Sequence, residues 1–213
     1  MTGDAPGRAA ANANSWSLAI ICVGVWVATA ACARVLGIWL AVGAAAVALG
    51  VAVWIRDPEQ ARRLLRASTG LIVLGAAAGG VMAAVTTLLY PVIARAVPFI
   101  AAETAHLYAA FRAPSLAVAS VALAPVVLGE ELVWRGVVQT ALTRRFGPSG
   151  GVVFAAVAYA LALAPVGSPV LVAVALLCGI AWGALRAISK SLVPALVAHL
   201  VWDALVLLWL PLA

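Results

Sequence analysis

The chain has 213 residues, of which 66% are hydrophobic and only 9% are charged, and its mean hydropathy is +1.16. Soluble domains carry roughly 25% charged residues, so this composition excludes an ordinary soluble domain. The formal net charge is +6, but the basic residues lie mostly in short loops between apolar stretches. That distribution is typical of membrane topology, and no nucleic-acid partner is predicted.

Apolar stretches long enough to cross ~30 Å of hydrocarbon recur along the chain. None has the alternating pattern of a membrane β-barrel, so helices must satisfy the spanning backbone. We predict an all-α polytopic transmembrane helical bundle of about seven spans. The predicted spans are 16–34, 36–55, 69–92, 115–139, 150–165, 168–186 and 192–211. Between the second and third spans, "RDPEQARRLL" is predicted as a short amphipathic connector. "AVPFIAAETAHLYAAFRAPS", between the third and fourth, is predicted as a short interfacial helix.

We predict three parts in the chain. Residues 1–14 are polar and rich in Ala, Gly and Asn, so a disordered N-terminal tail is expected. Residues 15–113 hold the N-terminal transmembrane helices and the interfacial connector, and residues 114–213 hold the helices with the polar motifs described below.

Lysine and arginine are unevenly divided between alternate loops. If the N-terminus is cytoplasmic, the inside segments hold Arg8, Arg56, Arg62, Arg63, Arg66, Arg144, Arg145, Arg186 and Lys190, and the outside loops hold Arg34, Arg95 and Arg112. The positive-inside rule therefore predicts a cytoplasmic N-terminus. The Ala-, Val- and Arg-rich composition is typical of a GC-rich bacterial genome, and we predict an integral protein of a bacterial inner membrane.

Away from their ends, the predicted spans contain few ionisable side chains: Glu130, Glu131, Arg135, His199 and Asp203. An Arg or Asp at such depth costs roughly 2.5–3.5 kcal/mol, so these groups should pair. Glu131 and Arg135 are four residues apart on one helical face and are predicted as a structural ion pair. His199 and Asp203 share a face in the same way. Glu130, His199 and Asp203 lie ~13, ~10 and ~16 Å from the cytoplasmic ends of their helices, which predicts a shared site.

Two interpretations fit this cluster. It is either a structural polar clasp between helices or a reaction site. Glu130 has no partner within its own helix, which suits a general base, and His199 is suited to orient water or donate to an oxyanion. The chain has no CxxC, no Cys/His cluster and no HExxH, so neither a metal nor another cofactor is predicted. His106, on the outer connector, is predicted to be solvated.

Two motifs carry a family resemblance. "APVVLGEELVWRGVV" resembles the EExxxR motif of the CPBP intramembrane proteases, also called the Abi or CAAX-protease family, and "SLVPALVAHLVWDAL" resembles their HxxxN or HxxxD motif. The resemblance covers about residues 114–212 and implies that this part is a CPBP-like protease core. It implies that Glu130 activates water, that Glu131 and Arg135 hold the helix, and that His199 and Asp203 orient water or stabilise the oxyanion. The implied activity is cleavage of a membrane-associated or C-terminally anchored protein or peptide.

One family motif is incomplete. The family carries FxxxH on the intervening helix, which here contains "VVFAAVAYALALAPVGSP". Alignment by the trailing proline puts Tyr159 at the phenylalanine and Leu163 at the histidine, and alignment at Phe154 puts Ala158 there. Tyr159 is therefore a candidate auxiliary hydroxyl donor. The alternative function is a catalytically inactive membrane scaffold, immunity protein or chaperone. A proton-coupled transporter is disfavoured because no inverted repeat is seen.

Overall fold

The computed structural model describes residues 6–111 and 115–212, with side chains described from Trp16 onward. These residues are helical almost throughout and form no β-strand. The α-helices are α1 (Pro6–Leu36), α2 (Ala44–Arg56), α3 (Pro58–Leu64), α4 (Thr69–Ala96), α5 (Pro98–Phe111), α6 (Leu116–Glu131), α7 (Gln139–Leu163), α8 (Pro169–Ser189) and α9 (Val193–Asp203). Three π-helical segments accompany them: π1 (Trp39–Gly43), π2 (Leu132–Val138) and π3 (Ala204–Trp209).

The predicted helical membrane bundle is confirmed. Within the described part of the chain, 5 helical runs are long and apolar enough to cross a membrane, and Val193–Trp209 is a shorter apolar helix. One of these runs, Leu116–Val166, has 51 residues and covers two predicted spans, which meet at a kink. Gly147, with φ of 73°, breaks its helical conformation, and only glycine takes up this backbone geometry readily.

The N-terminal helix is longer than predicted. α1 begins at Pro6, so the backbone is helical over residues 6–14, where a disordered tail was expected. Residues 1–5 lie outside the described residues. Proline is favoured in the first turn of a helix, and the alanines that follow have the highest helix propensity of any residue. Local propensity therefore outweighs the polar character of this segment.

Both predicted connectors are helical. The segment "RDPEQARRLL" contains α3, and Asp57 caps its first turn by accepting a hydrogen bond from the backbone N–H of Gln60 at 2.9 Å. The second connector contains α5, whereas its Arg112 lies outside the described residues. Tyr108 of α5 donates to the carbonyl of Val206 at 2.6 Å. α5 is thereby attached to the segment that follows the HxxxD motif.

Glycines allow two close helix contacts that position the polar motifs. A Cβ added to Gly50 of α2 would lie 2.6 Å from Cα of Gly129 on α6, directly before Glu130. On α4, a Cβ at Gly79 would lie 2.7 Å from the carbonyl oxygen of Ala198, the neighbour of His199. Small residues of this kind let helix backbones approach closely in lipid. The N-terminal helices therefore support both motif helices of residues 114–213.

The loops group at two ends of the bundle. At one end, the backbone N–H of Leu192 donates to the carbonyl of Leu64 at 2.8 Å, which joins the α8–α9 loop to α3. At the other end, Arg34 donates to the carbonyl of Val166 at 3.2 Å. Loops predicted on the same side thus meet, and the assignment of either end to the cytoplasm stays a prediction.

The α4–α9 contact predicts opposite outcomes for two adjacent glycines. We expect Gly79→Ala to destabilise the protein by about 1–3 kcal/mol, because its new methyl group would overlap the backbone of Ala198. Gly80→Ala is the matched control, since a Cβ there meets nothing within 4 Å and alanine favours the helix. Thermal unfolding in detergent measures both. Equal effects of the two variants would contradict the proposed packing.

Candidate active site

The EExxxR motif lies where an α-helix changes to a π-helix. α6 ends at Glu131, and π2 carries Arg135. The hydroxyl of Thr140 donates to the carbonyl of Arg135, five residues earlier, at 3.3 Å. A π-helical turn contains more residues than an α-turn and rotates the side chains that follow, and such segments are frequent at functional sites. The local backbone thus helps to aim Arg135 into the bundle.

Glu131 links the two sequence motifs. Its Oε1 accepts a hydrogen bond from Nη1 of Arg135 at 3.1 Å, which is the contact expected from the four-residue spacing. The same oxygen lies 2.9 Å from Nδ1 of His199, which acts as the donor when Glu131 is a carboxylate. The sequence did not predict this second contact. Glu131 therefore joins α6 and π2 to α9.

The ion pair is removed from water and enclosed by aromatic rings. The Glu131 side chain is 0% exposed and that of Arg135 is 3% exposed. The Arg135 guanidinium lies 5.1 Å from the ring centroid of Tyr159 and 5.2 Å from that of Trp182, within the range of cation–π attraction. Removal of one partner of such a buried pair costs about 3–5 kcal/mol, because the other charge stays behind unpaired.

Glu130 faces a different neighbour. The hydroxyl of Tyr159 on α7 donates to Oε2 of Glu130 at 2.9 Å. The same Oε2 lies 3.9 Å from Nε2 of His199, which is longer than a direct hydrogen bond. The structure thus brings Glu130 and His199 together, as the depth comparison predicted. It adds a partner for Glu130 on another helix.

The histidine ring is fixed on three sides. Nδ1 of His199 faces Glu131, Nε2 lies 3.3 Å from Oδ2 of Asp203, and the Trp182 ring stacks on the imidazole with centroids 3.6 Å apart. Trp182 was missed at the sequence level, although it lies beside Gly183 on the small-residue helix α8. The signal in the sequence was a large aromatic residue directly before a glycine that allows two helices to pack closely.

The cluster has a closed side and a more open side. The side chains of Glu131 and His199 are 0% and 4% exposed, whereas those of Glu130 and Asp203 are 11% and 12% exposed. Both residues are nevertheless buried, and their carboxyl groups keep only slightly more exposed surface than those of the other cluster members. The buried side serves to hold His199.

Other candidate residues lie elsewhere or carry other side chains. His106 is on α5, where its side chain is 83% exposed and lies 4.0 Å from Glu103, as expected of a solvated histidine. Leu163 is buried in the apolar core. Among the residues that the structure describes, no group of three or more His, Cys, Asp or Glu side chains is arranged to hold a metal ion.

Comparison with known proteins gives one match. No curated protein and no solved structure matches the chain. A family model, described as type II CAAX prenyl endopeptidase Rce1-like, matches residues 106–205. That range begins within α5 and contains every residue of the polar cluster. The predicted resemblance is thus confirmed for this part of the molecule: residues 106–205 are similar to the type II CAAX prenyl endopeptidase Rce1-like family.

Proposed function

We propose that the protein is an intramembrane endopeptidase in which Glu130 activates the attacking water. The observation that carries this proposal is the position of the buried Glu130 beside His199 and within reach of Asp203, with its Oε2 3.9 Å from Nε2 of His199. The match to an endopeptidase family supports the reaction class. The substrate would be a membrane-associated or C-terminally anchored protein or peptide.

The geometry supports a division of roles in hydrolysis. Oε2 of Glu130 and Nε2 of His199 are 3.9 Å apart, close enough for one water molecule to contact both. In the proposed reaction, Glu130 takes a proton from this water as its oxygen attacks the scissile carbonyl carbon, and later gives the proton to the leaving amine. Nδ1–H of His199 would stay on Glu131, and its single Nε2–H, which faces Asp203 at 3.3 Å, would turn to the developing oxyanion when the substrate is bound.

Tyr159 is proposed as a positioning residue for the general base. Its hydroxyl holds Oε2 of Glu130, and its ring lies 5.0 Å from that of Trp134. In the resembled family, a histidine on this helix helps the glutamate to hold the water. Here Leu163 and Ala158 cannot hydrogen-bond through their side chains, so Tyr159, one turn before Leu163 and next to Ala158, would fix the carboxyl group instead.

The absent histidine also favours a second candidate, a catalytically inactive relative that binds membrane proteins or peptides. The two functions differ in their dependence on Glu130. A scaffold needs the fold and a binding surface, whereas hydrolysis needs the Glu130 carboxylate itself. A biological activity that survives substitution of Glu130 in a folded protein would favour the scaffold.

The first test of the enzyme is Glu130→Gln. The amide can still accept a hydrogen bond from Tyr159 but is no base, so we expect cleavage of a membrane-peptide library to fall by at least 10²-fold. Purified protein in detergent and mass spectrometry of the products provide the measurement. Glu59→Gln, on the exposed surface of α3, is the control and should keep full activity. Undiminished cleavage by Glu130→Gln would contradict the proposed base.

The role of Tyr159 is tested by removing only its hydroxyl group. We expect Tyr159→Phe to lower kcat roughly a hundredfold, the order found for a lost catalytic hydrogen-bond donor, with little change in KM. The matched control is Tyr90→Phe, on α4 outside the cluster. An unchanged kcat in Tyr159→Phe would show that Glu130 does not need this donor. A Tyr159→Phe protein that fails to fold would be revealed by its unfolding temperature.

A further inference from the structure

A cavity lies on the side of the motif helix that faces away from the polar cluster. It is open on one side, has a volume of about 260 Å³, and is lined by residues of α1, α2, α3, π2 and α7. Its walls include Leu18, Val53, Leu132 and Val137, which are apolar, and its polar lining residues include Arg56 and Arg144. The cavity therefore combines an apolar interior with two guanidinium groups, and the proposed hydrolysis uses none of these side chains.

The cavity is separated from the polar cluster. Leu132 and Gly136 line it from π2, and each directly follows a residue of the buried ion pair. Glu131 and Arg135 themselves face the opposite direction, towards His199 and Trp182, and do not line the cavity. A molecule in this cavity would touch the backbone segment that carries the EExxxR motif without reaching Glu130. The cavity is thus a site in its own right.

The charge around the cavity favours an anionic group. Arg56 and Arg144 line it together with one carboxylate, that of Asp57, and Asp57 already caps α3 through the N–H of Gln60. The same end of the bundle carries further exposed cations on α3, on α7 and in the loop after α3: Arg62, Arg63, Arg66 and Arg145. α3 carries one acidic residue, Glu59, so basic residues outnumber acidic ones at this end of the bundle. Arginine is well suited to phosphate, which its guanidinium binds through two hydrogen bonds.

The position of the two arginines along the membrane helices points to a lipid. Arg56 is the last residue of the candidate span Trp39–Arg56, and Arg144 lies shortly before the break at Gly147. Both would lie near the level of the lipid headgroups. An acidic peptide in the same cavity would need partners for each buried backbone amide, and Gln60 and Thr140 are the only uncharged polar side chains among the described lining residues. A single acyl chain carries no such groups.

We propose that this cavity binds one anionic phospholipid, with its phosphate between Arg56 and Arg144 and part of an acyl chain against Leu18, Leu132 and Val137. Basic pockets between membrane helices bind anionic headgroups in this way. The bound lipid would pack against π2 and so support the segment that aims Arg135. This proposal concerns binding alone and does not depend on peptidase activity.

The test is a lipid titration of the purified full-length protein after removal of bound lipid in detergent. Phosphatidylglycerol is added, and native mass spectrometry counts the bound molecules while the unfolding temperature is followed. We expect one saturable phosphatidylglycerol and a rise in unfolding temperature with lipid concentration. The double variant Arg56→Gln/Arg144→Gln should weaken binding roughly tenfold or more. The matched control Arg62→Gln/Arg66→Gln removes the same charge outside the cavity and should stay within about twofold of the parent protein.

Several results would overturn the proposal. Equal losses of phosphatidylglycerol binding in the two double variants would show that overall positive charge, and not this cavity, attracts the lipid. If phosphatidylcholine bound as tightly as phosphatidylglycerol, the headgroup charge would not be recognised. Equal stabilisation by glycerol phosphate would show a phosphate site that needs no acyl chain. Tighter binding of an acidic peptide than of phosphatidylglycerol, lost in Arg56→Gln/Arg144→Gln, would assign the cavity to a peptide. The same titration on Glu130→Gln keeps this test separate from that of the proposed hydrolysis.

Discussion

The arrangement of the polar cluster depends on one buried carboxylate. Glu131 has no exposed surface, and its Oε1 is shared by Arg135, in the same helix, and His199, in a different one. A charge so far from water needs these partners, so the two motif helices must meet in one relative position. That contact turns Nδ1 of His199 towards Glu131 and leaves Nε2 for Asp203 and Glu130. The orientation of the proposed reacting groups therefore follows from a residue that takes no direct part in the proposed reaction.

The backbone makes this meeting possible. Gly129 allows α2 to contact α6 directly before the two glutamates, and Gly79 allows α4 to contact α9 beside His199. Immediately after Glu131 and again after Asp203 the helix becomes π-helical, which changes the direction of the side chains that follow. Helices outside the matched region thus contribute rigidity to the site. In a bundle that lacks a hydrophobic driving force between helices in lipid, such close packing is a main source of cohesion.

Regular helical spacing was sufficient to predict the helices, the Glu131–Arg135 pair and the shared depth of Glu130 and His199. Helical spacing was not sufficient to predict contacts between helices. These contacts depend on how each helix is rotated about its axis, and the rotation is determined by glycine contacts and π-helical turns. The Glu131–His199 hydrogen bond, the Trp182 stack and the Tyr159–Glu130 hydrogen bond are of this kind. Tyr159 was selected from the sequence as a candidate, but only the structure brings its hydroxyl to Glu130. Residues 6–14 show the other limit, since their polarity did not determine where the first helix begins.

The central claim is that Glu130 activates water and does not itself attack the peptide bond. A single-turnover cleavage in ¹⁸O-labelled water, with excess enzyme over a cleaved membrane peptide, tests this claim most directly. If water attacks, the new C-terminal carboxyl group of the product carries one ¹⁸O atom in the first turnover and the Glu130 carboxyl group stays unlabelled. If Glu130 attacks instead, an acyl intermediate forms, and its hydrolysis at the enzyme carboxyl carbon leaves ¹⁸O in Glu130 and an unlabelled product. That second result, or a peptide that binds and stays intact, would contradict the account.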